Sequence, residues 1–258
     1  MRRISLTLLA ALLMAPFSAG AVTISASQDL GAVPSISGGG LLGSYYKFSS
    51  SSNIGTLSNA NQLISSSGGP TATFTTTEVC FPDCAGTSMS DSSTMTQFLN
   101  GHASNFSYTS ATQPTSIDHS AIVLTGYIAI TQAGTYNFNL GSDDGSQLTI
   151  GGQQVINNDS DHGFSFVGGN ATFTQAGLYA ISISYFEDSG STGLDFFAKD
   201  PNGTCVIGLA ANCASGSATT GLLYSSLPTT ATPEPASLLI FGAGLSGLAA
   251  IRRRRRKA

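Results

Sequence analysis

The segment 120–197 constrains the fold most, because it consists of short runs in which apolar and polar residues alternate, separated by glycine-containing turns. The clearest runs are YNFNL (136–140) and ISISY (181–185). A period of two places successive side chains on opposite faces of a strand, so one face is buried and the other is wet. This pattern is typical of antiparallel sheets packed face to face. We therefore predict an all-β fold, an antiparallel β-sandwich of the jelly-roll type.

The same criteria assign the other parts of the body. Residues 92–100 form the only predicted helix, with a serine or an aspartate as its N-cap. Residues 49–69 are rich in Ser and Asn and lack periodicity, so they are predicted as loop with at most a short strand at 62–64. Residues 22–40 are predicted to be an extended lead-in. The predicted strands are 41–48, 72–79, 121–131, 134–141, 147–150, 153–156, 164–174, 178–187, 193–199 and a closing strand within 221–227 that returns next to the first.

Three sequence stretches carry a family resemblance: GYIAITQAGTYNFNLGSDDGSQLTIGG (126–152), DHG (161–163) and AGLYAISISYFED (176–188). In this order they resemble the β-sandwich domain named after the N-terminal module of protective antigen. That domain also occurs in yeast flocculins and in bacterial surface proteins. The resemblance extends over roughly residues 40–199 and implies a carbohydrate-binding, adhesive module. We assign residues 22–228 to one such domain.

Two adjacent carboxylates, Asp143 and Asp144, lie between Gly141 and Gly145, and two interpretations are open. An Asp-Gly pair between strands is a strong hairpin signal that needs no ligand. Alternatively, the pair binds Ca²⁺, which takes six to eight oxygen ligands, largely carboxylates and carbonyls. Neighbouring side chains of an extended strand point to opposite faces, so sharing one ion requires an unusual backbone. The family resemblance implies a cis peptide bond between the two aspartates.

The resemblance also implies further site residues. In sugar-binding relatives, the loop after the strand that corresponds to 178–187 supplies an oxygen ligand, and here Glu187 or Asp188 stands at that place. A solvated acidic loop is the alternative. Asp161 and His162 belong to an Asp-His-Gly sequence that recurs in the family, and we include them among the ligand-binding residues, although a hydrogen-bonded structural pair is the alternative. We predict Ca²⁺ bound by Asp143, Asp144, Glu187 and Asp188, a ligand site formed by Asp143, Asp144, Asp161, His162 and Glu187, and no catalytic residue.

The N-terminal residues 1–21 predict export. Two arginines, a short apolar run and the small residues Ala19-Gly20-Ala21 make up a secretory signal peptide with cleavage after Ala21. An uncleaved membrane anchor is the alternative, but the apolar run stops at Pro16.

The C-terminal residues 233–258, reached through a linker at 229–232, predict sorting. Pro233, Glu234 and Pro235 precede an apolar segment at 236–251, predicted as a single membrane helix, and a basic cluster follows it. This arrangement resembles the PEP-CTERM sorting signal, which implies cleavage near the tripeptide by an exosortase. A plain C-terminal anchor is the alternative. We therefore predict an exported protein that is membrane-anchored before C-terminal processing.

The charge of the body excludes one class of partner. Residues 22–232 contain thirteen of the fourteen acidic residues but only two basic ones, Lys47 and Lys199, which leaves a charge of −11. Such a body repels nucleic acids and attracts cations. We predict no nucleic-acid partner.

Cysteines of an exported chain are expected in disulfides. The four cysteines allow three pairings, and we favour the local pairs Cys80–Cys84 and Cys205–Cys213. Zinc binding by Cys80 and Cys84 is an alternative, but no matching ligand pair lies nearby in the sequence.

Together these features predict a non-enzymatic, Ca²⁺-assisted carbohydrate-binding or adhesion module at the cell surface, with a glycan or exopolysaccharide and an exosortase as partners. A structural protein of the biofilm matrix without a small ligand is the first alternative, and a glycan-active enzyme is the second. Adjacent carboxylates suit an ion better than glycoside hydrolysis, which needs two carboxyl groups at least ~5 Å apart across the bond.

Overall fold

The structure is a computed structural model, and it describes residues 20–35, 37–111, 113–208 and 221–227. The apolar run of the predicted signal peptide, the linker 229–232 and the sorting signal 233–258 with its helix 236–251 lie outside these residues. Within the described ranges, no helix has the length and the apolar character needed to cross a bilayer.

Strands contain 46% of the described residues, because the alternating runs found in the sequence pair with one another. The helices are α1 (Leu57–Ser66), α2 (Met95–Leu99) and a 3₁₀ turn (Ala26–Gln28). The strands are β1 (Val22–Ile24), β2 (Leu41–Lys47), β3 (Ala72–Thr76), β4 (Cys80–Phe81), β5 (Met89–Ser90), β6 (Ser104–Tyr108), β7 (Ser120–Ile130), β8 (Gly134–Asp143), β9 (Ser146–Ile150), β10 (Gln153–Asn158), β11 (Ser165–Phe173), β12 (Gly177–Glu187), β13 (Ser191–Lys199), β14 (Cys205–Ile207) and β15 (Leu223–Tyr224).

The described strands form two sheets. Sheet I has the order β1-β11-β8-β13-β14, and β4 and β5 also pair with β13. Sheet II has the order β10-β9-β12-β7-β2-β3-β6, and β15 pairs with β7. The pairing is antiparallel apart from β1, which runs parallel to β11. This architecture confirms the predicted all-β sandwich.

The core lies between the two sheets and uses the alternation seen in the sequence. In β8, Tyr136, Phe138 and Leu140 are buried, whereas Asn137 and Asn139 between them are not. The Phe138 ring is parallel to the ring of a buried phenylalanine of β13, with centroids 6.2 Å apart. Burial of these large rings supplies much of the free energy of folding.

Helix α1 corrects the prediction that residues 49–69 form a loop and that the body holds a single helix. The Thr56 side chain caps α1 by accepting a hydrogen bond from the backbone N–H of Asn59. Leu57 and Ala60 are buried on one face, one turn apart, and pack beside Phe186 of β12. The many Ser and Asn residues have low helix propensity, so this tertiary packing decides the conformation.

Two terminal segments also differ from prediction. The lead-in 22–40 contains strand β1, which extends sheet I. The closing strand β15 pairs with β7 rather than with β2. It comes close to the residues just before β2, where the N–H groups of Gly38 and Gly40 donate hydrogen bonds to the carbonyl oxygens of Gly221 and Leu223.

A disulfide joins Cys80 and Cys84, one of the two predicted local pairs. Their sulfurs are bonded to each other and are therefore not available as thiolate ligands for zinc. Cys205 is buried in β14, while Cys213 lies outside the described residues, so the pair Cys205–Cys213 stays a prediction. The Cys80–Cys84 loop begins at β4, which pairs with β13 at Leu194 and Asp195.

Candidate functional site

The candidate site lies where β8 and β12 end and β13 begins. Asp143 is the last residue of β8 and is paired with Gly193 of β13. Asp144 follows in the turn to β9, and Glu187 ends β12. Because the start of β13 pairs with the end of β8 and follows directly after β12, carboxylates more than 40 positions apart in the sequence become neighbours.

The aspartate pair is almost completely buried. Asp143 is 6% exposed and Asp144 is 2% exposed. The peptide bond between them is cis, as the family resemblance implies. The backbone here has no room for a side chain at the next position, because a Cβ atom at Gly145 would lie 2.3 Å from the buried ring of Phe186. The glycine beside the pair therefore has a packing reason besides turn formation.

Asp144 connects two loops through backbone amides. Its Oδ1 accepts a hydrogen bond from the N–H of His162 at 3.0 Å, and its Oδ2 accepts one from the N–H of Asp188 at 2.9 Å. Asp161 lies within side-chain hydrogen-bonding reach of the same carboxyl group. The acidic patch after β10 and the loop after β12 thus meet at Asp144.

The side chains of His162 and Asp188 point to other partners. The ring nitrogens of His162 lie 2.8 Å from the carbonyl oxygen of Gly163 and 3.3 Å from that of Asn158. The Asp188 carboxylate lies 3.6 Å from Nε2 of His119, and the Asp188 carbonyl accepts a hydrogen bond from the N–H of His119. Both residues therefore bind Asp144 through their backbone N–H groups, while their side chains contact residues outside the carboxyl group of Asp144.

Glu187 is fully buried beneath the aspartates. The Tyr185 hydroxyl donates to the carbonyl oxygen of Asp143 at 2.6 Å, and its oxygen lies 3.1 Å from Oε2 of Glu187. The hydroxyl of Thr192 lies 2.6 Å from that of Tyr185. The other oxygen, Oε1, has no hydrogen-bond partner within the part of the chain that the structure describes. A buried carboxyl oxygen without a donor is costly unless it holds a proton or a cation.

Burial controls the protonation of these carboxyl groups. Desolvation raises the pKa of Asp143 above its usual range. Desolvation also raises the pKa of Asp144 to about 7. For Glu187, desolvation and then the neighbouring Asp144 raise the pKa to about 10. Without a positive charge the site therefore binds protons near neutral pH, and a divalent cation would satisfy the same need.

The donor chemistry of these residues suits a hard cation, although among the described residues no three of these carboxyl groups have ligand atoms that all lie within 4.8 Å of one another. Asp143, Asp144 and Asp161 offer only oxygen atoms, the donor type that Ca²⁺ prefers, and Glu187 adds a buried oxygen without a donor. Among the described residues, the charged side chains that act on these carboxyl groups are acidic apart from His162.

Two contributors to the site have no recognisable signal in the sequence. Ser88, which follows the disulfide loop, hydrogen-bonds to Asp143 through its side chain. Asp91 accepts a hydrogen bond from the N–H of Gly190 at 2.7 Å and thereby fixes the loop after β12. Both reach the site through the short pairing of β5 with β13, and a single Ser or Asp in a polar stretch does not reveal such a contact.

Comparisons with known proteins agree with this architecture. Residues 90–202 match the family model of the PA14 domain, and residues 231–256 match that of the PEP-CTERM protein-sorting motif. No curated protein sequence matches the chain significantly. The predicted boundaries 22–228 of the domain stay a prediction.

Two solved structures are similar to most of the chain. The PA14 domain of the antifreeze protein MpAFP is 25% identical, with 78% of this chain and 98% of that domain covered at a TM-score of 0.59. The PA14 sugar-binding domain of an RTX adhesin is 25% identical, with 66% of this chain and 94% of that domain covered at a TM-score of 0.54. The chain therefore carries a PA14 domain followed by a PEP-CTERM sorting motif, which marks it as an exported protein sorted to the cell envelope.

Proposed function

We propose that the protein is a Ca²⁺-assisted carbohydrate-binding module that acts in adhesion at the cell surface. The observation that carries the proposal is the group of buried carboxyl groups at the end of β8, in which Glu187 Oε1 has no donor among the described residues. Support also comes from the similar domain of the RTX adhesin, which is described as sugar-binding.

In this proposal Asp143 and Asp144 hold the ion together with the loop at Glu187 and Asp188, and Asp161 borders it. A bound Ca²⁺ supplies open coordination positions for neighbouring hydroxyl groups of a sugar. The protein orients these positions through the backbone amides of His162 and Asp188, which fix the Asp144 carboxylate. The surrounding loops then select the glycan by shape.

Two other functions compete with this proposal. A structural role in an exopolysaccharide or biofilm matrix would not require the buried acidic group. An enzymatic role would require an acid and a base facing each other across the substrate. Here the ring of His162 is engaged with backbone carbonyls, and the Tyr185 hydroxyl is buried, so these two side chains of the site do not form such a pair.

Binding of the exported protein to a glycan array, with calcium and with chelator, tests the proposed function. We expect binding to a set of neutral glycans in calcium and its loss with EDTA, because the sugar contacts the ion. A magnesium-only sample serves as control, since Mg²⁺ demands a smaller octahedral site. Silence of the array in calcium, together with self-association of the protein, would favour the structural role. Release of reducing ends would favour an enzyme.

Export and processing are the second part of the proposal. We expect the envelope form to lack residues 1–21 and the tract after Pro235, because a signal peptidase cuts after Ala21 and an exosortase cuts near the Pro-Glu-Pro tripeptide. The helix 236–251 would anchor the chain in the membrane until then. Intact-mass measurement of protein from the native envelope checks both cuts. A mass that retains the arginine cluster 252–256 would refute processing and favour a permanent anchor.

A further inference from the structure

We propose that the outer face of sheet I is a second glycan-binding surface that receives a neutral polysaccharide chain extending from the acidic site. This inference rests on the proposed function and names its ligand as a chain rather than a single sugar. The surface consists of three aromatic rings and three amide side chains, and we call it the outer-face platform. Its members are Phe164, Phe166, Phe197, Asn137, Asn139 and Asn170.

The aromatic part of the platform is contiguous and accessible. The Phe166 ring lies between the other two, with centroids 5.4 Å from Phe164 and 5.6 Å from Phe197. Phe166 is 43% exposed, an unusual placement for a large aromatic ring. Three neighbouring rings form one apolar strip on a face that is otherwise polar.

Glycines of the sheet and of the preceding loop leave room for two of the rings, and Phe166 stands at 81° to Phe164 and at 70° to Phe197. A Cβ atom at Gly141 would lie 2.6 Å from Phe166 and 2.8 Å from Phe164. A Cβ atom at Gly86 would lie 2.8 Å from Phe166. Because Gly141 and Gly86 carry no side chains, the Phe166 ring packs closely over their backbone, and its 43% exposed surface is free to meet a ligand, with Phe164 and Phe197 standing at its sides. The π face of such a ring attracts the C–H groups that line one side of a pyranose.

The amide part continues the platform along the same strands. Asn139 donates a hydrogen bond to Asn137 at 2.8 Å, and Asn137 donates one to Asn170 of β11 at 2.9 Å. This ladder orients the three side chains and leaves further N–H and C=O groups for solvent or a ligand. Amides supply donors and acceptors in one plane, which suits the hydroxyl groups at the edge of a sugar ring.

The platform is continuous with the candidate ion site. The backbone N–H of Phe164 donates a hydrogen bond to Asp143, so this aromatic residue lies directly beside the carboxylates. From Asp143 back to Thr135, β8 rises by about 27 Å at about 3.4 Å per residue. A glycan held at the ion by one residue could therefore lie along the strand with several of its sugar rings.

The charges of this face select a neutral chain. Asp195 lies on the outer side of β13, but it is buried and accepts a hydrogen bond from the N–H of Gly86. Lys199, paired with Asn137, is the basic residue that β13 contributes at the far end. The body as a whole is strongly acidic, so a polyanionic glycan would be repelled. Half of the platform is amide, which favours a hydroxyl-rich glycan over a protein surface.

Binding of neutral oligosaccharide series to the exported protein tests the inference. The probes are cello-, laminari-, malto- and xylo-oligosaccharides of one to six units, measured by calorimetry in calcium and in EDTA. We expect affinity to rise at least tenfold from the disaccharide to the hexasaccharide of a series that binds. Phe166→Ala should remove this gain without changing the disaccharide affinity, and Phe166→Trp should keep it. Leu42→Ala is the matched control, because Leu42 is also 43% exposed but lies on sheet II.

The outcomes separate this inference from the proposed function. The platform would be overturned, and the ion site left standing, if short sugars bind but affinity does not rise with chain length. The same holds if affinity rises with chain length equally in Phe166→Ala. Hexasaccharide binding that survives EDTA and is lost in Phe166→Ala would support the platform and contradict the ion. If affinity does not rise with chain length and the protein self-associates in a concentration-dependent way that Phe166→Ala abolishes, the face is a protein contact instead. Absence of binding to every probe would overturn the platform and count against the proposed function.

Discussion

The substitution Asp144→Asn is expected to abolish the calcium-dependent rise in the melting temperature and the calcium-dependent binding of glycans. An ion that binds only the folded protein stabilises it by about 2.7 kcal/mol at a hundredfold excess over its dissociation constant. For a domain of this size that corresponds to a rise of roughly 5–10 °C. Asp144 is central to the site, because its two oxygens already accept two backbone hydrogen bonds and it carries a charge that asparagine lacks.

The substitution also has a structural cost that must be separated from the loss of the ion. An asparagine cannot accept from both amides, so the protein without calcium should lose about 1–3 kcal/mol as well. The measured quantity is therefore the difference in melting temperature between calcium and EDTA within each variant. Asp159→Asn is the control, because it removes a charge from the same loop while its oxygen can still accept from Leu57. An undiminished calcium shift in Asp144→Asn, or a wild type indifferent to millimolar calcium, would refute the ion site.

Stability of the calcium-free protein is expected to fall as the pH rises. Glu187 has its pKa raised from 4.5 to about 10, and Asp144 has its pKa raised from 3.8 to about 7. Between the unfolded and folded values, the folded protein holds protons that the unfolded chain releases. For each such proton, the free energy of unfolding falls by about 1.4 kcal/mol for every unit by which the pH rises. The stabilisation is therefore complete below about pH 4 and is lost through pH 7 for Asp144 and towards pH 10 for Glu187.

Urea unfolding between pH 5 and 9, in EDTA and in calcium, measures this dependence. Asp29 and Asp118 have lowered pKa values and act in the opposite direction, but below pH 4, outside this window. Calcium should flatten the curve, because it replaces the protons. Glu187→Gln keeps the shape of the side chain and removes its titration, so we expect it to be more stable than the wild type at pH 8 in EDTA. A wild-type stability that does not change from pH 5 to 9 would contradict the prediction.

The sequence predicts the site wherever the chemistry is local. Asp143 and Asp144 stand out as adjacent carboxylates between glycines, and Glu187 ends a strand with clear alternation. The register of that strand also explains why Glu187 is buried, since it continues the inward face of Tyr185. By contrast, nothing in the sequence separates the side-chain role of Glu187 from the backbone role of Asp188, because both are acids in one loop.

The parts that were not predicted depend on contacts between distant segments. Helix α1 forms because Leu57 and Ala60 find a place beside Phe186, although its composition favours a loop. The exposure of Phe166 is hidden for a related reason. Its neighbours in GFSFVGGN do not reveal that Gly141 and Gly86 approach from other segments and leave room for a ring on the outside of the sheet.

Strand β1 ties the maturation of the chain to the integrity of its sheet. β1 occupies the edge of sheet I, where Ile24 is fully buried and pairs with Phe173. It begins at Val22, so cleavage after Ala21 places the new amino group directly at the first residue of an edge strand. Trimming of only three more residues would uncover the backbone groups of β11, and such an open edge invites pairing with other chains. The position of one peptidase cut would thus decide which strand forms this edge of the exported domain, the three-residue β1 or the nine-residue β11.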